Sequence, residues 1–454
     1  MLETIIAMMT QWQEVFSQHR TLIRAIRQAV TIICVIGSRT IARCYLVLRH
    51  DQDQDWSAEY KLHSRSKWDP QDLFTPVLKD ALDQSQDDLL AIAADDTRIS
   101  KTGKKIKSAF WGRDPLGPAF HLNLKYGIRY LHAALLLPLH HLGVSARALP
   151  VFFDEVRPVP KPGKKATESD KAAYRKAKRE NNLCTAALAM INILRQKIDD
   201  LGGKAKILVF PVDGSFCNKT LFKQKLDRVI LIGRTRKDAK LCFRSKGGRK
   251  LYDDTSFTPE QVRKDPSIAW QKAKIFHGGQ YREVEYKEVK NLLWRRGSGT
   301  RELRLVVVKA TPYRKTKKGK LLYRQPAYLL ITDLDRDAEK LLQIYFDRWQ
   351  IEVAHKEMKQ DFGLGEAQVR TDESVKHQPA MTAATYSIMH LAAIKKFGAR
   401  RVEEYGEVPK YQREKTRASA QDLIRYFRVE VINKPEMLPF ESKISAERLL
   451  AVAC

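Results

Sequence analysis

The stretch YFDRWQIEVAHKEMK, residues 345–359, carries polar side chains at spacings that favour chemistry over simple solvation. A helical periodicity predicts that Tyr345, Arg348, Glu352 and Lys359 project within about 60° of one another, as one stripe on a single helix. Apolar residues flank the stripe on both sides, so we do not expect an open solvent face. A carboxylate beside two cations and a phenol suits a site for a metal ion and a phosphate.

A simpler interpretation of the stripe is an ordinary ion pair. Arg348 and Glu352 are four residues apart, and an exposed pair at this spacing contributes only about 0.3–0.5 kcal/mol. Such a pair explains neither Tyr345 nor Lys359.

Two apolar stretches that read as strands lead into aspartates. LLAIAADDT, residues 89–97, runs into Asp95 and Asp96, and KILVFPVDG, residues 206–214, runs into Asp213. A carboxylate at the end of a buried strand is costly unless it is solvated, paired or holding a cation. The alternative in both cases is a turn that simply follows the strand. Pro211 cannot donate to a ladder, which predicts that Asp213 lies just past the paired residues or on an edge strand.

The elements that must position these residues suggest three regions. Residues 1–85 read as helical, residues 86–370 as strands interleaved with helices, and residues 371–454 as helices again. A polar, turn-rich stretch at about 244–300 interrupts the second region and reads as an insertion. The fold class we predict is therefore α/β, with a mixed sheet flanked by helices, an insertion subdomain, and helical N- and C-terminal regions.

The composition points to a polyanionic partner. The 82 Lys and Arg residues outnumber the 53 Asp and Glu residues, which gives a net charge of +29, and nucleic acid is the leading candidate. The six cysteines show no C-x-x-C spacing, which argues against structural zinc and fits a reducing cytoplasm. No apolar run approaches the roughly 18 residues of a spanning helix, and MLETIIAMM carries an acid where a signal peptide has bases. We therefore expect a soluble, unprocessed chain without a membrane partner.

The order of an aspartate after a first strand, an aspartate after a later strand and a glutamate on a downstream helix resembles the DDE transposases, whose catalytic core is ribonuclease H-like. The stripe matches at all four positions the Y-(2)-R-(3)-E-(6)-K motif of one large group of bacterial insertion-sequence transposases. In that group the first aspartate belongs to D-x-T, which corresponds to Asp95 with Thr97 and leaves Asp96 as second choice. The resemblance covers residues about 88–364.

The resemblance implies a site and a reaction. Asp95, Asp213 and Glu352 would be the catalytic metal ligands for two Mg²⁺ ions, with Mn²⁺ as a substitute, in two-metal phosphoryl transfer. The other three stripe residues would contact DNA. The enzyme would cleave transposon ends and join the 3′-hydroxyls to target DNA, acting as a homodimer on double-stranded DNA in the cytoplasm, associated with the nucleoid. No P-loop is present, so we expect no nucleotide cofactor.

Two alternative functions stay open. One is a catalytically silent DNA-binding protein derived from a transposase, and the other is a ribonuclease H-like nuclease without strand transfer. No histidine begins the H-x-x-R of a tyrosine recombinase, and no H-E-x-x-H or G-x-S-x-G occurs.

Two smaller features also allow a DNA role. Ser38, Arg39 and Thr40 lie where the second helix of a helix-turn-helix would start, although such patterns are common. Trp294, beside Arg295 and Arg296, is either a wedge that stacks on a base or a core residue of the insertion.

Overall fold

The structure, a computed structural model, describes residues 1–48, 56–114, 123–247, 249–314, 316, 319–408 and 416–452. The N-terminal part is helical, and Gly37 separates the second and third helices with a φ of +78°. The second helix buries its apolar residues at intervals of three and four, as an amphipathic helix does. The helices are α1 (Leu2–Thr10), α2 (His19–Cys34), α3 (Ile41–Leu48), α4 (Ser57–Ser64) and α5 (Thr75–Gln84).

The start expected for a recognition helix does not present a basic side chain to DNA. α3 begins at Ile41, close to the expected position, but Arg39 is buried. Its Nε donates to the Ile32 carbonyl at 2.9 Å and its Nη1 to the Gly37 carbonyl at 3.2 Å. Arg39 therefore holds the turn between α2 and α3 together.

The first half of the sheet has the strand order of a ribonuclease H-like core. Its elements are β1 (Leu89–Ser100), β2 (Phe110–Arg113), β3 (Leu124–Leu137), β4 (Arg147–Glu155), α6 (Glu168–Glu180), α7 (Leu183–Asp200), β5 (Ile207–Val212), α8 (Lys219–Phe222) and β6 (Val229–Arg234). β1 is antiparallel to β3 and parallel to β5, and β5 is parallel to β6. Both β2 and β4 pair with the outer edge of β3.

The stretch read as an insertion extends the same sheet. β6 pairs with the last strand of the chain, and the intervening strands continue outward to form a sheet of 12 strands in all. The elements are β7 (Leu241–Arg244), β8 (Tyr252–Phe257), α9 (Pro259–Lys264), β9 (Gln271–His277), β10 (Gln280–Leu293), β11 (Glu302–Val308), β12 (Pro312–Arg314), β13 (Leu321–Tyr323) and β14 (Ala327–Ile331). β12 and β13 form the separate hairpin at the basic stretch RKTKKGK, of which residues 315, 317 and 318 lie outside the described residues.

One long helix near the C-terminus is buried almost all round and organises the core. The last helices are α10 (Ala338–Asp347), α11 (Gln350–Asp361), α12 (Ser374–Phe397), α13 (Ala420–Asn433) and α14 (Ala446–Ala451). α12 packs against β4 and against α1, α2, α4, α5 and α13. The N-terminal helices, the sheet and the C-terminal helices thus share one hydrophobic core. The α/β prediction, with a ribonuclease H-like mixed sheet and flanking helices, is confirmed.

Candidate active site

The first candidate aspartate lies inside a strand, which excludes the turn alternative there. β1 continues past Ala94 to Ser100, and its residues from Asp95 onward pair with residues 127–132 of β3. The hydrogen bonds of the ladder therefore hold the backbone on both sides of Asp95. A carboxylate held in this way is more fixed than one in a surface turn.

Asp95 and Asp96 face opposite sides of the sheet, because side chains alternate along a strand. Asp95 is the cross-strand partner of His132, whose Nδ1 lies 2.7 Å from Nε2 of His355 on α11. Asp95 therefore lies on the face that α11 covers. Asp96 lies on the other face, where its Oδ2 is 3.3 Å from Nε of Arg129.

The second aspartate directly follows β5, on the strand next to β1. Ala94 pairs with Val212 across the two parallel strands, so Asp95 and Asp213 are the next residues on neighbouring strands. The edge-strand alternative is wrong, since β5 lies between β1 and β6. The turn does form here: Oδ1 of Asp213 accepts from the Ser215 amide at 2.8 Å and from its hydroxyl at 2.6 Å.

The stripe lies on two helices, so the expectation of one continuous helix is wrong. α10 ends at Asp347 and α11 begins at Gln350, and the amides of Ile351 and Glu352 bond three residues back, each at 3.1 Å, as in a 3₁₀ turn. Trp349, an apolar residue next to Arg348 of the stripe, is 57% exposed at this junction. The Nη2 of Arg348 lies 3.3 Å from Oε1 of Glu352, so the simple ion pair is present.

Electrostatic interactions nevertheless connect the stripe to both aspartates. Burial, with the negative charge of Asp213, raises the pKa of Asp95 to about 7, against the effects of the Asp96 amide and of the positive charge of Arg348. Burial and Asp213 also raise the pKa of Glu352, against the effect of Arg348. Three carboxylates and one guanidinium therefore lie within reach of one another's charge.

The remaining two stripe residues belong to the same electrostatic group. Burial raises the pKa of Tyr345, which is also sensitive to the charges of Arg348, Arg234 and Asp213. Burial lowers the pKa of Lys359, and Lys125 lowers it further, while Asp114 and Asp95 act in the opposite direction. The stripe thus borders the two aspartates despite the break between the helices.

The three carboxylates do not converge on one point. Among the residues that the structure describes, no three His, Cys, Asp or Glu side chains are grouped closely enough to hold a metal ion. Each acid instead has a local partner: the amide of Asp96 donates to Asp95 at 2.8 Å, Ser215 donates to Asp213, and Arg348 pairs with Glu352.

A cationic cavity opens beside Asp213, among the ends of β5 and β6 and the turn that follows β10. It has a volume of about 540 Å³, and its lining includes Arg234, Lys240, Trp294, Arg296 and an ion pair between Arg236 and Asp238. The Trp294 ring is half-buried and packs edge-on against Phe222, with ring centroids 6.2 Å apart. Trp294 is therefore both a packing residue and a wall of this cavity.

Sequence reasoning missed some residues of the site. Arg234 was not singled out from the sequence, although its position at the end of an apolar strand was the available signal. Nothing in the sequence indicated that His132 and His355 would contact each other, because that pairing depends on how β3 and α11 pack.

No helix within the described part of the chain has the length and apolarity needed to cross a bilayer. A search among curated proteins finds no match to this chain. A family model, the transposase DDE domain, matches residues 194–388. The matched range contains Asp213 and the whole stripe, whereas Asp95 precedes it. This match supports the resemblance to the DDE transposases of insertion sequences that the sequence motifs indicated.

Proposed function

We propose that this transposase cleaves the DNA at the ends of its element and joins the freed 3′-hydroxyls to target DNA. The observation that carries the proposal is the position of Asp95 and Asp213 on adjacent parallel strands, with Glu352 and Arg348 within reach of their charge. Phosphoryl transfer between DNA strands uses acids contributed by separate chain segments, as these three are.

The donor chemistry of these acids fits Mg²⁺, which prefers carboxylate oxygens. The negative charge of Asp213 beside the buried Asp95 supports a site that a cation would stabilise. Their present orientations do not form such a site, so side-chain rotations away from Ser215 and Arg348 are required. When bound, two Mg²⁺ ions would activate the attacking oxygen and stabilise the leaving one, and Mn²⁺ could replace them.

The other stripe residues hold the DNA backbone. Arg348 presents a planar guanidinium that can grip a phosphate with two hydrogen bonds, whereas Lys359 offers a single point charge. Tyr345 can donate a hydrogen bond to a phosphate or stack on a base. Rotation of Glu352 toward the aspartates would free Arg348 for this contact.

The cavity beside Asp213 suits the transposon end itself. Its three arginines and one lysine attract phosphates, and the ring of Trp294 offers a surface on which a displaced base can stack. The enzyme acts on two ends, so we propose a homodimer assembled on double-stranded DNA, working in the cytoplasm on the nucleoid.

Incubation of the protein with Mg²⁺ and DNA carrying the ends of its own element tests the proposal. Cleavage with joined products supports a transposase, cleavage alone indicates a nuclease, and binding without cleavage indicates a silent derivative. Asp213→Ala or Glu352→Ala should abolish cleavage while end binding and thermal melting stay near wild type. A variant that retains a tenth of wild-type cleavage would contradict the metal-ligand assignment.

A further inference from the structure

A pair of aromatic residues, one exposed and one half-buried, lies on the hairpin that β2 and β3 form. Trp111 is 67% exposed, and it pairs across the strands with Tyr126, with ring centroids 5.4 Å apart. Leu124, at 54% exposure, is the next residue of β3 on the same face. We call this surface, formed by Trp111, Tyr126 and Leu124, the hairpin ledge.

The hairpin ledge faces the same side of the sheet as Asp95. Side chains alternate along β3, so Tyr126 shares a face with His132, the partner of Asp95. Trp111 lies about six residues beyond Asp95 along the strands, which is about 20 Å at 3.3 Å per residue. A DNA strand that passes the acids in this direction reaches the ledge after about six nucleotides, at 3.4 Å per nucleotide.

The reverse side of the hairpin is built to keep Trp111 on the outer face. The guanidinium of Arg98 lies over the Phe110 ring, with its carbon 4.4 Å from the ring centroid. A side chain at Gly112 would collide with that guanidinium. The hairpin is therefore supported from behind, and the exposed ring does not arise from loose packing.

Positive charge surrounds the hairpin ledge. Lys104 and Lys105 are exposed on the loop after β1, where the Tyr126 hydroxyl donates to the Gly103 carbonyl at 3.5 Å. Arg113 and Lys125 are exposed on the hairpin itself, and the charge of Lys125 reaches Lys359 of the stripe. Asp114, at the end of the hairpin, is the acidic neighbour of this group.

We propose that the hairpin ledge binds the DNA that flanks the transposon end, on the far side of the scissile phosphate, by stacking a base on Trp111 and neutralising phosphates with the surrounding lysines. The inference rests on the proposed function, since a flank exists only relative to a cut. It adds a second DNA surface to the one beside Asp213.

Two observations favour the flank over the terminal repeat. The ledge offers rings and an aliphatic side chain, and stacking on rings tolerates any base, as a flank of arbitrary sequence requires. In the order of the sheet, β1 and β5 lie between the ledge on β2–β3 and the cavity on β6. A strand crossing the acids therefore leaves the cavity on one side and meets the ledge on the other.

Binding measurements with an uncut end and a pre-cleaved end test this assignment. In a Glu352→Ala background, which keeps the DNA intact, Trp111→Ala should weaken binding of an end that carries a 12-bp flank by about 10- to 100-fold. Affinity for the pre-cleaved end without a flank should not change. Trp111→Tyr should restore most of the affinity, because it keeps a ring.

A matched control is Trp56, which is 61% exposed and stacks edge-on against Tyr60 at 5.8 Å on the N-terminal helices. Trp56→Ala should leave both affinities unchanged. The position can be checked with 2-aminopurine in the flank: its fluorescence should be quenched most strongly about six nucleotides from the cut, and not in Trp111→Ala.

The remaining outcomes overturn the inference. Equal loss of affinity for the cut and uncut ends would assign the ledge to the terminal repeat. No loss in either assay would leave the ledge without a DNA role. Because these are binding measurements, they stay informative if wild-type protein binds its ends but does not cut, the result that refutes the proposed function alone.

Discussion

Arg348 lies between two acids of the candidate site, and its role depends on which of them it serves. Its Nη2 is 3.3 Å from Glu352, and its charge favours the ionised form of Asp95. Its side chain is only 16% exposed, so its contacts are partly shielded from solvent and salt. A guanidinium in this position can stabilise the fold through its ion pair or can bind a phosphate of the DNA.

We expect Arg348→Ala to lower strand cleavage by about 10²-fold or more at saturating DNA, since a charge-assisted contact in the transition state contributes roughly 3 kcal/mol. Lys359→Ala should show a weaker defect. Single-turnover cleavage of a pre-bound end measures both, beside Tyr345→Phe. Arg195→Ala is the matched control, because Arg195 pairs with Asp199 four residues on at 2.6 Å, on the remote helix α7. It should lower the melting temperature and leave cleavage unchanged.

Normal cleavage in all three stripe variants would contradict this role. The stripe would then be a helix-packing feature, and only the three acids would remain as candidates for catalysis.

The two neighbouring aspartates of β1 should differ sharply in their importance. Asp95→Asn should abolish cleavage, because it removes the carboxylate on the face that α11 covers. Asp96→Asn should keep cleavage within about tenfold of wild type, since it breaks only a partly exposed pair with Arg129 on the opposite face. Cleavage rates of the two variants at saturating Mg²⁺ decide between them. The reverse result would make Asp96 the first ligand.

At this scale the sequence identified the residue types and their order, but not their neighbours. The apolar run before Asp95 and the spacing from Tyr345 to Lys359 were visible in the sequence. The choice of face for Asp95 depends on the register with β3, and the cavity beside Asp213 depends on how the sheet brings the turn after β10 close to the end of β6. Both arise from pairings between distant segments, which no local pattern encodes.

At the scale of elements, a buried polar network holds α11 against the sheet. Arg147 on β4 lies 3.0 Å from Glu357 of α11, and the Tyr386 hydroxyl of α12 donates to the same carboxylate. Arg417 donates to Gln350, at the first turn of α11. Burial, followed by the charge of Arg147, lowers the pKa of Arg417 to about 10. Glu357 therefore pairs with Arg147, and its negative charge also partly offsets the effect of burial on Arg417.

Glu357→Gln should lower the free energy of unfolding by about 3 kcal/mol, because removing one member of a buried pair leaves uncompensated charge. Cleavage should fall as well, since Glu357 is on the helix that carries Glu352. Urea denaturation measures the first effect. Glu168→Gln, which removes an exposed pair with Lys171 on α6, is the control and should change stability by less than about 0.5 kcal/mol. Similar decreases in the free energy of unfolding in both variants would show that the network does not stabilise the packing of α11 against the sheet.

Element boundaries were the weakest part of the sequence interpretation. Helical periodicity gave no sign of the break at Arg348 and Trp349, because both residues keep right-handed helical dihedral angles and only the hydrogen-bond spacing changes. The extent of β1 past its aspartates was also hidden, since two acids in a row resemble a turn. Pairing with β3 overrides that local preference.

At the scale of the whole molecule, the shared core buries histidines that must stay neutral. His63 lies on α4, near His377 of α12, and its Nε2 is 2.8 Å from Oε1 of Gln28. The amide nitrogen of Gln28 in turn donates to the carboxylate of Glu59. Its Nδ1 has no hydrogen-bond partner among the described residues. Burial, with a smaller effect of His377, lowers the pKa of His63 to about 3.

Acid should therefore destabilise the fold between pH 6.5 and 3. The unfolded histidine titrates near 6.5, so the contribution of His63 is complete above that value and is lost as pH falls toward 3. From pH 7 to 5 the loss amounts to about 2 kcal/mol for one such group. We expect His63→Gln to reduce the pH dependence of urea denaturation by about this amount, and the exposed His19→Gln to leave it unchanged. An unaltered pH dependence in His63→Gln would show that other groups control acid unfolding.

The net charge of +29 should make binding to any DNA depend steeply on salt, because each neutralised phosphate releases counterions. The structure divides this charge between surfaces: Arg234 and Arg236 line the cavity, whereas Lys176 lies on the fully solvated helix α6. The slope of log affinity against log salt should fall by about 1 for each of Arg234→Ala and Arg236→Ala, and should not change for Lys176→Ala. Fluorescence anisotropy with a duplex of unrelated sequence, between 50 and 200 mM salt, measures these slopes.

A wild-type slope equivalent to only one or two phosphates would mean that most of the positive charge faces away from DNA. Equal changes of the salt slope in Lys176→Ala and Arg234→Ala would mean that the positive charge attracts DNA without localised contacts and that the cavity makes no specific phosphate contacts.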